Sequence, residues 1–372
     1  MKERLSPPFR ADHVGSFLRP PDLLAARRGF ADGTVDAQRL REVEDDAIRN
    51  VVALQEDLGF RAASDGEFRR ASWHMDFIYQ LGGIGRTEER LELAFKNAEG
   101  TTYVTSSGLT VRDRVGLEET IFEDAFTFLK SCVATAVPKL TIPSPSMVHY
   151  RGGAGAIDPE VYPDVEEFWH DLSAAYAEEI RRLGELGCTY LQLDDTSLAY
   201  LNDPAQRAML QARGEDAEHQ HLRYIEVINE AVKGRPADMA VTTHSCRGNY
   251  QSFWAAEGGY DFVAEALFSD LDVDGFFLEF DDDRSGTFEP LRFVPEGKVV
   301  VLGLVTTKSG VLENKDDLKR RIEEASEYVP LEQLCLSPQC GFSSTVESHS
   351  LTLEEEIAKL RLVIETAQEV WS

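Results

Sequence analysis

The chain reads as an α/β protein, a (β/α)8 TIM barrel with a β-hairpin inserted after the second strand. Three observations lead there. Short, continuous apolar runs recur along the whole length, amphipathic helical patterns fall between them, and the residues best suited to chemistry stand at the downstream ends of the runs. Continuous rather than alternating apolar character suits strands buried on both faces of a parallel sheet. Barrel enzymes place their chemistry at the C-terminal ends of such strands.

In chain order the strand segments are Phe9–Phe17, Arg61–Phe68, Lys139–Ser144, Tyr190–Asp195, Met239–Cys246, Gly275–Phe280, Val299–Val305 and Gln333–Ser337, eight in all. The clearest helical patterns are Arg39–Leu58, Val165–Leu186, His219–Val232 and Lys315–Ala325. A last helix opens on a capping box, Thr352 with Glu355. Behind it Leu353, Ile357, Leu360, Ile364, Ala367 and Trp371 form one apolar stripe at helical spacing. A doubly wound open sheet is the competing architecture, but no G-x-G-x-x-G turn follows the first strand.

Residues 80–123 break the rhythm. Leu93–Phe95, Thr101–Ser106 and Leu109–Val111, separated by Gly100 and Gly108, read as an inserted hairpin that could cap the barrel mouth. With no repeat, low-complexity tract or Pro-rich linker, residues 1–372 are expected to form a single catalytic domain.

The chain has 38 Lys plus Arg against 66 Asp plus Glu, a net charge of −28 that opposes nucleic acid and anionic membranes as partners. No apolar stretch approaches the ~20 residues needed to span a bilayer. The start, Met1 to Pro8, lacks the apolar core of a secretion signal, so a cytoplasmic location is expected. Five cysteines, an odd count in a reducing compartment, favour free thiols or metal ligands over disulfides. Cys132, Cys188 and Cys335 read as small packed hydrophobes.

The remaining two cysteines are the informative ones. His244 and Cys246 are two apart, so in a strand their side chains point the same way. Glu279 ends the next strand, and Cys340 lies in a Pro-x-Cys-Gly turn beyond the last. Imidazole, carboxylate and two thiolates at strand ends form a candidate ligand set whose softness favours zinc. Around a dication the set carries a net charge near −1. A substrate thiolate replacing Glu279 would leave that charge unchanged, which suits alkyl transfer to sulfur better than water activation.

Other strand ends could hold the substrate. Of Asp194 and Asp195 one faces the mouth, and Asp194 could pair with an ammonium. Glu67 is a second candidate for the amino group, with Arg70 as its supporting ion pair. The segment Asp12-His13-Val14-Gly15-Ser16-Phe17 offers backbone N–H groups and the Ser16 hydroxyl to a carboxylate. His13 is carried as a candidate catalytic group beside Glu279, although ligand, base and packed imidazole are all open to it. His149-Tyr150-Arg151-Gly152-Gly153 reads as a flexible loop near the active face, and Asp281-Asp282-Asp283 as a solvated run.

His244-x-Cys246, Glu279 and Pro338-x-Cys340-Gly341 resemble the zinc site of cobalamin-independent methionine synthases. The similarity extends to Gly15-Ser16-Phe17, Gly66-Glu67-x-x-Arg70 and Leu191-Gln192-Leu193-Asp194, in the same order along residues 9–345. It is nearest to the short, single-barrel branch. The resemblance implies His244, Cys246, Glu279 and Cys340 as zinc ligands. It also implies Ser16, Glu67 and Asp194 around the amino-acid end of homocysteine, and methyl transfer to its sulfur. Three departures stand out. The long enzymes' extra N-terminal barrel is absent, Thr306-Thr307-Lys308-Ser309 stands where the family has a histidine, and Pro143-Ser144-Pro145-Ser146 replaces the aromatic segment linked to the folate donor. The methyl donor is therefore left open among folate, methylcobalamin and sulfonium compounds.

The expected activity is zinc-dependent methyl transfer to homocysteine or a similar small thiol. Two alternatives compete with it: alkylation of another thiol by another electrophile, such as an epoxide with coenzyme M, and a non-catalytic barrel with structural zinc. The expected partners are a small thiol and a methyl donor. A homo-oligomer is compatible with this reading and not required by it.

Overall fold

The computed structural model describes residues 4–96, 102–249, 253–343 and 351–372. Nine strands are formed among the described residues: β1 (Ala62–Ala63), β2 (Gly82–Lys96), β3 (Thr102–Gly116), β4 (Val137–Pro143), β5 (Tyr190–Asp195), β6 (Ala240–Ser245), β7 (Gly275–Glu279), β8 (Val299–Val305) and β9 (Leu334–Pro338). Seven of them make one parallel sheet in the order β1-β4-β5-β6-β7-β8-β9. Every residue of β5, β7, β8 and β9 is buried. That burial explains their continuous apolar character.

The eighth position of the barrel is filled by residues 9–17, although not by a regular strand. Ala11 bridges Leu336 on one side and Ser16 bridges Gly66 on the other, both in parallel sense. The Asp12 N–H donates to the Leu336 carbonyl at 3.0 Å, the Leu336 N–H to Arg10 at 2.8 Å, and the Phe17 N–H to Gly66 at 3.2 Å. The sheet thus curls on itself, and the (β/α)8 barrel is closed by isolated bridges. The second strand is also shorter than the apolar run implied, because Gly66 and Glu67 adopt φ of 68° and 60° and turn the backbone away.

Helices cover the outside. Ala37–Leu58, Val165–Glu185, Gln220–Val232 and Lys315–Ser326 match the expected segments, and Pro21–Ala31 is an additional helix with proline in its first turn. The last helix, Leu353–Trp371, carries the capping box of Thr352 and Glu355. Its stripe is rotated from the expected one. Leu353 is 51% exposed, while Glu356 and Lys359 are buried beside Leu360, Ile364, Ala367 and Trp371.

The insertion is a long antiparallel hairpin, β2 with β3, more extended than the short segments read from sequence. The turn expected at Gly100 lies outside the described residues, and Gly108 lies within β3. Two further bridges tie the hairpin down, Lys96 to Trp254 and Val111 to Ile157. The His149 segment is a helix, Ser146–Gly152, not a flexible loop: the His149 ring bonds the Tyr224 hydroxyl at 3.0 Å and burial pushes its pKa down to about 3.

Candidate metal and substrate site

The parallel register collects the chemistry at one end of the barrel. Asp194 pairs with His244 between β5 and β6, and Leu278 pairs with Ser245 between β6 and β7. Beyond β6 the Cys246 N–H still bonds the Asp195 carbonyl at 3.0 Å, so the thiol stays on the face set by His244. Beyond β9 the Gln339 N–H bonds the Val305 carbonyl at 2.8 Å and fixes the turn that carries Cys340.

Among the described residues these elements bring one metal-capable group together. Donor atoms of His244, Cys246 and Cys340 all lie within 4.8 Å of one another, and all three residues are buried. The two Sγ atoms are 3.4 Å apart. That is far beyond a disulfide's ~2.05 Å. Two thiolates on one tetrahedral zinc, with bonds of ~2.3 Å, would sit about 3.8 Å apart. The cradle therefore needs only a few tenths of an ångström of adjustment to fit such an ion.

The thiols are unequal. Cys246 shares a hydrogen bond with Cys340, accepts the Gly248 N–H at 3.2 Å and faces His244, so its pKa falls below the ordinary thiol value despite burial. Cys340, on the proton-holding side of that bond and buried, is pushed well up. Burial opposes protonation of His244, but the Asp194 carboxylate and Cys246 hold its pKa above the usual imidazole value. Its Nδ1 lies 3.4 Å from Asp194 Oδ1, and its Nε2 3.3 Å from the Gln339 carbonyl oxygen.

Glu279 stands outside this three-residue group. Its Oε1 accepts from Arg284 Nη2 at 2.9 Å and Lys308 Nζ at 3.0 Å, and its Oε2 accepts the Arg247 N–H at 3.0 Å. Burial would raise its pKa, yet Lys308, Arg284 and Arg247 outweigh it and hold the carboxyl far below the usual range. Asp281 is not solvated as expected: its side chain is 1% exposed and bonds Lys308 Nζ at 2.8 Å.

The residues expected to hold substrate form a second group. Glu67 is buried, with the Thr141 hydroxyl donating to Oε1 at 2.8 Å and Arg70 Nη1 3.5 Å away. Its Oε2 is buried with no hydrogen-bond partner among the described residues. Burial first, and the nearby Asp194 charge in addition, raise its pKa. A non-glycine residue at φ 60° is a strained conformation of the kind that concentrates at functional sites. Asp194 Oδ1 accepts Gln192 Nε2 at 2.7 Å as well as facing His244, whereas Asp195 turns away and accepts the Leu198 N–H at 2.8 Å in the first turn of the helix Ser197–Tyr200. Ser16 is buried against the Cys340 turn, its Oγ accepting the Ser343 N–H at 3.3 Å and its carbonyl the Phe342 N–H at 3.0 Å.

His13 belongs to neither group. Its ring lies edge-on to Phe17 and Phe60, with Nε2 3.1 Å from the Ala62 carbonyl. Burial, with Lys139 in addition, pushes its pKa down to about 4. Of the roles open to it in the sequence, the packing favours that of a packed imidazole, with Asp12 on the neighbouring position facing Lys139. Lys308, Arg284 and Arg247, in contrast, were not singled out from the sequence. The signal was available, since Lys308 lies three residues past the end of β8 at the same end of the sheet.

The match to a family model for the catalytic domain of the cobalamin-independent synthases runs from residue 9 to residue 369. The chain belongs to this family. YxjG of Bacillus subtilis (strain 168), an uncharacterised protein, is 45% identical over 371 residues, covering 99% of this chain and 96% of its own. A methionine synthase of Pyrococcus abyssi is 25% identical over 335 residues, 88% of this chain and 84% of its own. A crystal structure from Listeria monocytogenes, assigned as a vitamin-B12-independent methionine synthase, superposes with a TM-score of 0.79 at 39% identity, covering 99% and 100% of the two chains. A B12-independent methionine synthase of Shewanella sp. W3-18-1, solved with selenomethionine, shares the fold at a TM-score of 0.71 and 17% identity, over 97% of each chain. The family resemblance and the barrel read from the sequence are both borne out. Among the described residues no helix is long and apolar enough to cross a membrane.

Proposed function

We propose that residues 1–372 act in the cytoplasm as one catalytic barrel that binds zinc and transfers a methyl group to the thiol of homocysteine or a close analogue. The observation that carries the reading is the buried trio of His244, Cys246 and Cys340 at the C-terminal mouth of a barrel of this family. Zinc held there would keep a substrate thiol deprotonated near neutral pH while leaving its sulfur nucleophilic.

The chain's own residues supply the rest. Asp194 orients the His244 ring through Nδ1. Glu67 and Asp194 present two carboxylates, and the Glu67 oxygen without a partner is an acceptor suited to an ammonium. A cation between them would relieve the repulsion that helps raise the Glu67 pKa. The Ser16 hydroxyl and adjoining backbone suit the substrate carboxylate. Two buried acidic groups favour an amino-acid thiol over a sulfonate such as coenzyme M.

The test is zinc content together with X-ray absorption and methyl-transfer assays. One zinc per chain is expected, lost in Cys246→Ala and Cys340→Ala, with a new zinc–sulfur contact when homocysteine is added. Assays with folate, methylcobalamin and sulfonium donors then identify the methyl source. Full zinc in both variants would refute the ligand assignment, and coordination unmoved by thiol would mark the site as structural.

A further inference from the structure

Arg151 is a buried cation that the fold leaves without a counter-ion. It is 6% exposed, its Nε is buried with no hydrogen-bond partner, and it forms no ion pair among the described residues. Burying an unpaired guanidinium is costly, and such groups are kept where a ligand, a water or an ion completes them. His74 stands beside it in a similar condition. The Ser72 hydroxyl accepts the Met75 N–H at 3.3 Å and lies 3.1 Å from His74 Nδ1, to which it can donate. That arrangement leaves the ring proton on Nε2, which is buried without a partner among the described residues. Burial, and Arg151 after it, push the His74 pKa well down, so the imidazole is neutral and the guanidinium is close enough to act on it. The Trp73 ring lies against the imidazole, centroids 4.4 Å apart, and holds it in place.

Both side chains stand at the mouth of the barrel. His74 lies beyond the C-terminal end of β1, and Arg151 beyond that of its sheet neighbour β4, in the helix Ser146–Gly152. Strand β3 of the hairpin roofs that helix so closely that a Cβ on Gly152 would lie 2.7 Å from Leu109 Cδ1. Tyr200, beyond β5, is acted on by the charges of both Arg151 and Cys246, so the guanidinium and the metal-site thiol share one neighbour. Two N–H donors, one of them charged, thus find no acceptor among the described residues. We infer that Arg151 and His74 form an oxyanion-holding half-site, which takes a carboxylate or phosphate of the second reactant, the methyl donor. This rests on the methyl-transfer reading above, in which Glu67, Asp194 and Ser16 already hold both ends of the amino acid. A guanidinium suits either oxyanion, because its paired N–H groups match two oxygens at once. A donor presenting only positive charge there would be repelled.

The experiment uses the full zinc-loaded chain. Thermal melting is followed as inorganic phosphate is added at constant ionic strength, in wild type, Arg151→Met and Arg151→Lys. Phosphate should raise the midpoint of wild type and of the lysine variant, and leave Arg151→Met unmoved. Steady-state assays then pair homocysteine with methyltetrahydrofolate, whose oxyanions are carboxylates, or with methylcobalamin, whose oxyanion is a phosphodiester. In Arg151→Met the KM for the working donor should rise about 10–100-fold, the loss expected of a charge-assisted hydrogen bond. The KM for homocysteine should stay at the wild-type value. His74→Phe should raise the donor KM about fivefold, as for a neutral hydrogen bond. The donor that responds identifies carboxylate or phosphate as the group held. Should Arg151→Met not fold, Arg151→Gln carries the same expectation. No phosphate protection of wild type, equal protection of Arg151→Met, or a donor KM unchanged in that variant overturns the inference, as does a rise in the homocysteine KM alone. Absence of turnover with every donor removes the methyl-transfer reading, while the phosphate titration still decides whether Arg151 holds an oxyanion.

Discussion

Asp194 and His244 face each other in register across β5 and β6, with the carboxylate Oδ1 3.4 Å from the imidazole Nδ1. A carboxylate on the far nitrogen of a metal-binding imidazole fixes its tautomer and strengthens it as a ligand. Asp194→Ala is therefore expected to weaken zinc binding by about 10–100-fold. Chelator competition measures it. A carboxylate that served the substrate alone would leave metal affinity where it was.

The unequal thiols make a chemical prediction for metal-free protein. Cys246 has its pKa lowered, whereas burial pushes Cys188 and Cys335 up to about 12. After zinc is stripped, Cys246 should be alkylated by iodoacetamide well before those two, and zinc should protect it. Mass spectrometry of peptides after timed labelling gives the order. Equal rates at all three would contradict it.

Glu356 links stability to pH. Its Oε1 accepts the Leu18 N–H at 2.9 Å, its Oε2 is buried without a partner among the described residues, and burial raises its pKa to about 8 from 4.5. Between those values the folded chain holds a proton that the unfolded chain has released, so this group's stabilising contribution is lost as pH rises through 8. At about 1.4 kcal/mol per unit the loss is at most about 5 kcal/mol. Glu356→Gln keeps an acceptor for Leu18. It should remove this component, so that chemical denaturation at pH 6 and 9 shows a smaller fall than in wild type.

Gly15 adopts a φ of 134°, and a Cβ there would lie 2.7 Å from Thr141 Cγ2. Gly15→Ala is expected to cost about 1–3 kcal/mol through strain and overpacking. Because Thr141 supports Glu67, homocysteine affinity should fall with it. Calorimetry and a thiol-binding titration separate the two effects.

His13 provides the opposite control. His13→Gln should lower stability by about 1–3 kcal/mol through lost packing against Phe17 and Phe60. Zinc content and metal affinity should stay at wild-type values, and a drop in either would restore His13 to the site.

The architecture was legible because most barrel strands are buried on both faces, so their apolar runs are continuous, and because the helices between them carry one-sided stripes. Residues 9–17 read as a strand since they are apolar, yet they make single bridges rather than a ladder. The hairpin looked short because Gly82, Gly83, Gly85, Gly108 and Gly116 interrupt the alternation that would have marked its full length. His244, Cys246 and Cys340 were visible as a set because thiols and imidazoles at strand ends are scarce. Asp281 and Lys308 were not. Twenty-seven positions apart in sequence, they become a buried ion pair only when β7 and β8 align, and an aspartate run in isolation looks like solvated surface.

The joint where the first and last staves of the barrel meet has a consequence of its own. Residues 9–17 give each neighbour very few main-chain bonds, and the same stretch carries Ser16 against the Cys340 turn. Opening the cylinder along this seam would pull apart the wall that the proposed function assigns to one end of the small molecule. On that proposal mechanical integrity and recognition share one weakly stitched edge, and whatever closes over Ser16 would also fasten the hoop.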